Sequence, residues 1–458
     1  VGSDEHTNKV VKEAKVVGKT QKEFADEKVE NFKKLFKDLN LSNDQFIRTS
    51  DEVVHWPGVI EMWNRLLKAG DIYKKKYEGL YCVGCEAFIT EKELEDGKCP
   101  DHNQEPEKIE EENYFFALSK YQDFLKEKIE SDEFKIRPIS RKNEILSFLK
   151  NDLEDISFSR KLQDGQESWG ITVPGDPGQV IYVWCDALTN YISALGFGRD
   201  GVNFQKFWPA DYHVIGKDIS RFHCLFWPAM LKSAGIELPK EIFVHGMIIS
   251  DGKKMSKTLG NVIDPVEIID RYGVDALRYY LLREISPGED GDMTIEKLEE
   301  SYNANLANGL GNLTNRILKM SEDNLADTSF VKENNEPADA SSSHKPTAEQ
   351  SKAMTSEERN ESLEVLSKFI DNFETKKAMD YIWNKIGELD SFIQEAEPFK
   401  KIKIEEERSQ AIENIRSMVF RLAHIANLLT PFLPDTSAKI KEAIKANKKP
   451  DTPISLES

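Results

Sequence analysis

The sequence predicts an α/β fold with a parallel sheet for the first part of the chain and an all-α bundle of helices for the rest. Three observations lead to this prediction. Apolar runs at residues 180–184 and 244–250 indicate buried strands, and turn and helix signals follow them, which is typical of a parallel sheet. A cysteine and histidine cluster at residues 82–102 predicts a small metal-binding insert. From Asp264 onward the apolar residues recur with helical spacing.

Composition places the chain among ordinary globular proteins. Its 458 residues suffice for two or three domains, and 39% of them are apolar while 31% are charged. The net charge of −19 argues against indiscriminate binding to nucleic acids such as DNA, although a specific nucleic acid needs only a local basic surface. No apolar run approaches the length of a membrane span, and no signal peptide is visible. Five cysteines, three of them clustered, favour a reducing, cytoplasmic compartment.

A stretch of charged and small residues follows the second of these strands. Asp251 and Gly252 predict a tight turn, and three lysines occur within the next five residues, on a loop. A helix start is then predicted, with Asp264 as the N-cap and Pro265 at the first helical position. Glu267 supplies an acid three residues after the cap. The lysines therefore lie between the end of a strand and the start of a helix, at the sheet edge where ligands bind. The alternative is a solvated basic loop.

The lysine stretch resembles a known signature. Lys254, Met255, Ser256, Lys257 and Thr258 are similar to the KMSKS motif of class I aminoacyl-tRNA synthetases, with Thr in place of the final Ser. The resemblance implies an ATP site in which Lys254 and Lys257 meet the phosphates, together with Mg²⁺. Attack of a carboxylate on ATP builds negative charge on the leaving pyrophosphate, and mobile ammonium groups stabilise that charge in the transition state.

The beginning of the chain resembles a segment of the methionyl-tRNA synthetases, a class I family. A similar Asp-Glu-His run follows a core strand there, which implies that Asp4 binds the α-amino group of methionine. Without the resemblance, Asp4 and His6 would be interpreted as a helix N-cap and a surface histidine. The family's first strand and HIGH motif would precede Asp4, yet no His-x-Gly-His sequence occurs in the chain. We therefore expect a truncated chain, or one part of a split enzyme whose HIGH motif a separate chain supplies.

Four residues have the spacing of a tetrahedral zinc site, namely Cys82, Cys85, Cys99 and His102 in a C-x2-C-x13-C-x2-H pattern. Four protein ligands fill the coordination sphere, so the Zn²⁺ should be structural. The alternative is a chance grouping of buried cysteines. The arrangement resembles the single zinc knuckle in the connective insert of some methionyl-tRNA synthetases, here at residues 77–141. This insert is too short for the editing domain of the isoleucyl, valyl and leucyl enzymes.

Two segments resemble the methionine pocket of the same family. The first follows the strand run at 180–184, and the second follows a strand and loop at 212–218. Rings around a thioether are favourable, and Tyr191 and His223 have protons that they can donate to its sulfur. Aromatic residues at helical spacing are otherwise more often part of the core. The implied side-chain site consists of Trp184, Ala187, Leu188, Tyr191, Ile219, His223 and Trp227.

The resemblance also implies a set of nucleotide contacts. Glycine allows close approach of the backbone and aspartate accepts from ribose hydroxyls, which suits Gly216 and Asp218 to adenosine. Cys185 and Cys224 are interpreted as core thiols, because the adenylate mechanism needs no covalent enzyme intermediate. The implied ATP contacts are Gly216, Asp218, His245, Gly246, Ile248, Lys254, Met255, Ser256 and Lys257.

The helical half resembles the tRNA-binding part of the family. The resemblance implies that Asn312, Arg316 and Phe399 read the anticodon of tRNA(Met), by hydrogen bonds to base edges and by stacking. Asn312 and Arg316 are four residues apart, on one helix face. Phe399 stands where the family usually has Trp. The phenyl ring keeps the stacking but lacks the indole N–H donor. The alternatives are a helix-surface arginine and a loop hydrophobe.

These resemblances together predict a function and a domain organisation. The predicted function is ATP-dependent activation of methionine to methionyl-adenylate and transfer of the methionyl group to tRNA(Met). The alternatives are a tRNA-binding chain without activity, suggested by the missing HIGH motif, and another class I synthetase. The predicted parts are a class I Rossmann-type catalytic domain at 1–76 and 142–263, the zinc insert at 77–141, a stem-contact region at 264–300, and a helical anticodon-binding domain at 301–458 with a flexible loop at 327–350.

Overall fold

The chain is described from a computed structural model. The chain divides into two compact units. The first unit comprises Val1–Phe36 and Leu41–His245, and the second unit comprises Lys37–Asn40 and Gly246–Ser458. The main boundary therefore follows His245, within the stretch that the sequence assigns to the catalytic domain. The finer division into five parts stays a prediction. The described residues are 1–84, 87–89, 93–100, 103–162, 169–256, 259–331 and 355–450.

Strands and helices are mixed along the chain up to His245, as the strand and helix signals predict. The strands are β1 (Gly2–Ser3), β2 (Ile47–Arg48), β3 (Ile72–Cys82), β4 (Ala87–Ile89), β5 (Glu107–Phe116), β6 (Lys135–Arg137), β7 (Ile156–Ser157), β8 (Ser159–Lys161), β9 (Thr172–Val173), β10 (Asp176–Ile181), β11 (Tyr212–Gly216) and β12 (Glu241–His245). The helices are α1 (Asn8–Val16), α2 (Gln21–Asp38), α3 (Trp56–Lys68), α4 (Gln122–Glu130), α5 (Ile139–Phe148), α6 (Val183–Ser193), α7 (Val202–Phe207) and α8 (Trp227–Ser233).

A parallel sheet of order β11–β12–β6 provides the edge on which the first unit arranges its predicted ligand residues. A second parallel pair joins β1 and β2. Two antiparallel sheets, β4–β3–β5–β7 and β8–β10–β9, accompany them. The long β3–β5 pair runs from Ile72 opposite Phe116 to Tyr81 opposite Glu107, and part of it lies in the predicted insert.

The core of the first unit surrounds α3, α6 and α8. Large side chains such as Trp63, Phe116 and Trp227 are at most 1% exposed there. One local prediction is wrong: the run at 180–184 is not one strand, because β10 ends at Ile181 and α6 begins at Val183. A short apolar run does not distinguish a buried strand from the first turn of a buried helix.

The second unit is mainly helical, as predicted. Asp264 caps α9 by accepting from the Val266 N–H with Pro265 in the first turn, and Thr355 and Glu358 form a capping box on α13. The strands are β13 (Ile248–Ser250), β14 (Lys253–Lys254) and β15 (Gly291–Asp292). The helices are α9 (Pro265–Tyr272), α10 (Val274–Tyr279), α11 (Ile295–Ser301), α12 (Asn312–Asn324), α13 (Ser356–Asp371), α14 (Thr375–Ala396), α15 (Pro398–Lys401), α16 (Glu405–Leu429) and α17 (Pro434–Ala446).

The predicted flexible loop at 327–350 is described only in part. Residues 332–354 lie outside the described ranges. Thr328, at the start of the predicted loop, is 5% exposed, and its hydroxyl donates to the Ile444 carbonyl at 2.5 Å. The start of the predicted loop, at Thr328, is therefore packed against α17. In the described part of the chain, no helix combines the length and apolar character needed to cross a membrane.

Candidate active site

The predicted methionine pocket forms a cluster of rings in the first unit, carried by α6, by α8 and by the π-helical turn Phe222–Phe226 before α8. The Tyr191 ring centroid lies 5.6 Å from that of His223 and 6.1 Å from that of Trp227. Trp184 meets His223 edge-on, with 6.2 Å between ring centroids. The structure thus brings the aromatic residues of the predicted set together. The other predicted residues of α6, Ala187 and Leu188, are buried.

Hydrogen bonds fix the protonation of His223. Its Nδ1 donates to the Ile219 carbonyl at 3.0 Å, because a carbonyl oxygen only accepts. In the neutral ring Nε2 then has no proton, and it accepts from the Tyr191 hydroxyl at 2.8 Å. Burial lowers the pKa of His223 to about 4, so the ring is neutral at physiological pH. Both protons that the sequence offers to a thioether sulfur are therefore engaged within the protein.

Two rings that belong to no predicted site complete the cluster. Phe222 stacks on Trp184 with 3.8 Å between centroids and an interplanar angle of 8°. His213 lies 4.1 Å from the Tyr191 ring, and its Nε2 accepts from the Trp227 indole at 3.3 Å. Burial lowers the pKa of His213 to about 3, so this ring is neutral too. The two-residue alternation of β11, which turns every second side chain inward, was the available signal for His213.

Asp4, the predicted partner of the amino group, lies exposed between β1 and α1. It does not cap α1, because the N-cap is Thr7. The neighbouring Glu5 is 3% exposed and accepts two hydrogen bonds from the Arg48 guanidinium, both at 2.8 Å. His6, which the sequence alone would place on the surface, is buried. The segment that carries Asp4 is thus held by its buried neighbours.

Three predicted nucleotide residues lie at the carboxyl ends of adjacent parallel strands. Gly216 ends β11, His245 ends β12, and the two are paired in register. A Cβ atom at Gly216 would lie 2.8 Å from Asp218 Oδ1 and 3.6 Å from His245 Cε1. Glycine therefore leaves room for both side chains, which are exposed. This edge is where open α/β sheets bind ligands.

In the second unit the lysine stretch forms a β-hairpin instead of the predicted loop. The strands β13 and β14 pair antiparallel, and the turn has φ values of 53° at Asp251 and 69° at Gly252. This confirms the predicted tight turn, and such a turn returns the chain alongside β13, which makes the next residues a strand. Lys254 is exposed in β14. Lys257 and Thr258 lie outside the described residues.

Two polar side chains hold this lysine hairpin, residues 248–256, and the loop that follows. Asn261 Oδ1 accepts from the Ser256 N–H at 2.9 Å, and its Nδ2 donates to the Lys254 carbonyl at 3.3 Å. Asp292 Oδ1 accepts from the Gly252 N–H at 3.0 Å, and this hydrogen bond is the main cause that lowers the pKa of Asp292. Met255 and Ser256 are half-buried. Asn261 and Asp292 were not predicted from the sequence, because an isolated Asn or Asp carries no motif.

Gly246 and Ile248, two further predicted ATP contacts, lie at the start of the second unit. Gly246 is buried, and its N–H donates to the Pro287 carbonyl at 2.9 Å. A Cβ atom there would lie 1.9 Å from the Glu289 carbonyl oxygen, so any side chain would clash with backbone. Ile248 is 41% exposed. Gly246 thus has a packing role that is independent of any nucleotide.

Two of the four predicted zinc ligands lie in the described part of the chain. Cys82 ends β3, Cys99 directly follows the bridge between Glu95 and Lys98, and each cysteine is 1% exposed. The Asn103 N–H donates to the Cys99 carbonyl at 2.7 Å. Cys85 and His102 lie outside the described residues, and within the described ones no group of three or more side chains is arranged to hold a metal. The zinc site therefore stays a prediction.

The predicted anticodon readers lie on the second unit. Asn312 and Arg316 are exposed on α12, and Arg316 Nη1 donates to Asp390 Oδ1 on α14 at 2.7 Å. Asp390 precedes the end of α14 by six residues, about 9 Å of helix rise. Phe399, 42% exposed, follows that end on α15. All three side chains are thus accessible on connected helices.

The thiols of Cys185 and Cys224 are placed as the sequence interpretation expects. Both residues are 0% exposed in the core of the first unit. Burial raises the pKa of both thiols, which keeps them protonated. Because the thiolate is the nucleophilic form, neither is arranged to attack a substrate.

Models of two protein families match this chain. A family described as tRNA synthetases class I (M) matches residues 1–110 and 93–318. A family described as the anticodon binding domain of methionyl tRNA ligase matches residues 343–455. The matches cover the ring cluster and the lysine hairpin as well as most of the helical part.

Named proteins are similar over nearly the whole chain. The methionine–tRNA ligases of Caldanaerobacter subterraneus subsp. tengcongensis and Thermotoga maritima are 41% and 40% identical over 97% and 98% of it. The chain spans about two thirds of their length, 67% and 69%. A crystal structure of Mycobacterium tuberculosis methionyl-tRNA synthetase bound by methionyl-adenylate has a TM-score of 0.88 at 34% identity, over 99% of this chain and 91% of that one. The apo form gives 0.79 at 32% identity, over 95% and 87%.

Proposed function

This chain belongs to the class I methionyl-tRNA synthetases, which join methionine to tRNA, and we propose how its residues divide that work. The methionine carboxylate attacks the α-phosphate of ATP, which gives methionyl-adenylate and releases pyrophosphate. The methionyl group then passes to the terminal ribose hydroxyl of tRNA(Met). The observation that carries the assignment is the buried ring cluster around a neutral His223, because its chemistry suits an uncharged thioether.

In this proposal the methionine side chain binds against Trp184, Tyr191 and His223. Sulfur–aromatic contacts contribute on the order of 0.3–1.5 kcal/mol each, so several rings favour a thioether over a plain alkyl chain. Because the imidazole of His223 is neutral, it offers no charge to compensate a buried ammonium or carboxylate side chain. Ala187, Leu188, Ile219 and Trp227 complete the wall. Asp4 binds the α-ammonium group by a charge-assisted hydrogen bond.

In the first unit, the carboxyl ends of β11 and β12 are proposed to bind the adenosine. In the second unit, the lysine hairpin is proposed to act on the phosphates. Gly216, Asp218 and His245 contact the adenosine, while Lys254 and Lys257 stabilise the negative charge that develops on the pyrophosphate. Exposure of Lys254 supports this role, because an ammonium that no packing fixes is able to follow the phosphates. Mg²⁺, when bound with ATP, neutralises phosphate charge.

The second unit is proposed to bind tRNA(Met). Arg316 would exchange its ion pair with Asp390 for hydrogen bonds to a base edge of the anticodon. Phe399 would stack on an unpaired base, and its 42% exposure supports this. Asn312 lies one turn from Arg316, so both contacts could form on one helix face. Residues 264–300 are proposed to contact the tRNA stem.

A structural Zn²⁺ is proposed in the insert, held by Cys82, Cys85, Cys99 and His102. Burial of Cys82 and Cys99 supports it, since the thiolates of a closed zinc site are shielded from solvent. The metal would supply folding energy to the insert and no chemistry to the reaction. We propose the cytoplasm as the location, because five cysteines fit a reducing compartment.

The experiment that tests this function is methionine-dependent exchange of pyrophosphate into ATP. We expect exchange with methionine and not with leucine, isoleucine or valine, because those side chains lack the thioether. Exchange that depends on another amino acid would overturn the assignment.

The alternative of a tRNA-binding chain without activity is not favoured, because the family match extends over the catalytic residues as well as the helical ones. Binding of tRNA(Met) without exchange would revive it. Exchange that requires a second chain with a His-x-Gly-His motif would instead support the split enzyme.

A further inference from the structure

Asp186, on the helix that carries most of the proposed methionine pocket, is buried between two histidines. It is 1% exposed, with Oδ2 at 2.5 Å from His6 Nδ1 and Oδ1 at 2.6 Å from His55 Nε2. Both ring nitrogens donate, because an ionised carboxylate only accepts. His6 and His55 lie 180 and 131 residues away in the sequence. One side chain therefore joins α6 to the segment after β1 and to the start of α3.

The contacts explain why a carboxylate is tolerated at this depth. Burial on its own would raise the pKa of Asp186, but the hydrogen bonds from His55 and His6 outweigh it and lower the pKa. The other ring nitrogen of His55 lies 2.7 Å from Ser193 Oγ, at the end of α6. The polar chain thus begins and ends on the same helix.

This link connects the two halves of the proposed methionine site. Asp186 lies between Trp184 and Ala187 of the side-chain pocket, whereas His6 lies two residues after Asp4. The His6 ring also packs edge-on against Trp169, with 5.4 Å between centroids. Each oxygen of Asp186 accepts from a histidine, so we do not assign this residue to substrate binding. Its contacts instead fix one segment against another.

We propose that Asp186 is a positioning residue that sets the distance between Asp4 and the side-chain pocket. It thereby selects amino acids whose α-ammonium group and side chain reach both places at once. The proposal rests on the proposed function, since it assigns the α-ammonium group to Asp4. When the link is cut, each half persists, but one ligand no longer satisfies both in a fixed geometry.

Calorimetric titration with methionine tests the link in three variants. Asp186→Asn keeps the size of the side chain and leaves only one accepting oxygen. His6→Phe keeps a ring but removes the donor, whereas His6→Asn places an amide N–H near the position of Nδ1. We expect Asp186→Asn and His6→Phe to weaken methionine binding about tenfold, the scale of one charge-assisted hydrogen bond. His6→Asn should remain within about threefold of the wild type.

A second ligand separates positioning from general damage. The thioether acid 4-(methylsulfanyl)butanoate has the methionine side chain and carboxylate but no α-ammonium group. Asp4 has nothing to bind in it, so Asp186→Asn should leave its affinity unchanged.

Asp71→Asn is the matched control, because Asp71 is another buried carboxylate in the first unit and accepts from Lys120, Tyr121 and Ser233. It should lower Tm and leave methionine affinity unchanged.

Three results would overturn the proposal: a folded Asp186→Asn variant with wild-type methionine affinity, equal losses for methionine and the thioether acid, or equal losses for the two His6 variants. If Asp186→Asn does not fold, the His6 pair decides. Failure of the proposed function looks different, because the wild-type chain would then not bind methionine, or Tyr191→Phe would bind it as tightly as the wild type.

Discussion

In the ring cluster of the first unit, His223 and Trp227 are 2% and 0% exposed, whereas in the lysine hairpin of the second unit Lys253 and Lys254 are both exposed. Ring packing and the Tyr191–His223 hydrogen bond fix the cluster, while the hairpin carries its ammonium groups into solvent. A buried, hydrogen-bonded site presents one shape to the ground-state substrate. Exposed cations instead act when charge develops in the transition state. The contrast suggests that the buried ring cluster recognises the methionine side chain and that the exposed lysine hairpin enhances the rate.

The largest expected effect comes from removing an ammonium group from the lysine hairpin. Lys254→Ala should slow methionine-dependent pyrophosphate exchange about a hundredfold, the scale of one lost transition-state contact. Methionine affinity, measured by titration, should stay unchanged. Lys253→Ala is the control, because Lys253 is exposed in the same strand and stands before the motif. A Lys254→Ala variant that binds methionine weakly and keeps its rate would refute the division.

The next largest effect is expected from removing a hydrogen bond within the ring cluster. Tyr191→Phe removes the donor to His223 Nε2, so the hydrogen bond that holds the His223 ring in the proposed pocket wall is lost. Methionine affinity should fall about tenfold in a titration, while the rate at saturating methionine changes little. Tyr121→Phe, which removes a hydroxyl bonded to Asp71, serves as the control for stability. Equal methionine affinity in the two variants would contradict the pocket assignment.

The pH dependence of stability sharpens the comparison, because the cluster contains neutral histidines. The pKa values of His223 and His213 are lowered to about 4 and about 3, below the ordinary value of about 6.5. The unfolded chain therefore binds more protons, and the free energy of unfolding should fall as pH drops from about 6.5 to about 4. We expect a roughly hundredfold smaller folding constant per histidine across this pH range in denaturant titrations.

Methionine affinity supplies the control for this pH prediction. Because His223 stays neutral in the folded chain, titrations between about pH 7.5 and 5.5 should give the same affinity. A free energy of unfolding that stays flat or rises as the pH drops from about 6.5 to about 4 would contradict the buried neutral state of His223 and His213.

The smallest effect concerns tRNA. Arg316→Ala should weaken tRNA(Met) binding about fivefold, because the arginine must break its exposed ion pair with Asp390 before it can donate to a base. Asp390→Asn should leave binding unchanged or tighten it, since Arg316 is then released. Filter binding or fluorescence titration measures both variants, and pyrophosphate exchange should not change. Weaker exchange in Arg316→Ala would contradict the assignment of this residue to tRNA alone.

Local signals predicted much of the fold. The Asp251–Gly252 turn and the Asp264 cap are confirmed, because both depend on residues next to one another. The strand at 180–184 is wrong beyond Ile181, since burial alone does not separate strand from helix. Lys254 lies in a strand because of pairing with β13, which a loop composition does not reveal.

The candidate site was predictable only where a family motif covers it. The rings of Tyr191 and His223 were found through the pocket resemblance, and the structure adds which atom carries the proton. Asp186 and its histidines were missed because their contacts span 131 and 180 residues, and one sequence carries no signal for such pairs. The zinc and tRNA assignments stay predictions.

The most direct test of the central claim is a double-mutant cycle between Lys254→Ala and Tyr191→Phe. Pyrophosphate exchange is measured at low methionine concentration, where binding and rate both count. If the ring cluster acts on the bound substrate and the hairpin acts on the transition state, the two losses multiply to about a thousandfold in the double variant. A double variant no slower than Lys254→Ala alone would contradict the account, because the two regions would then serve the same step.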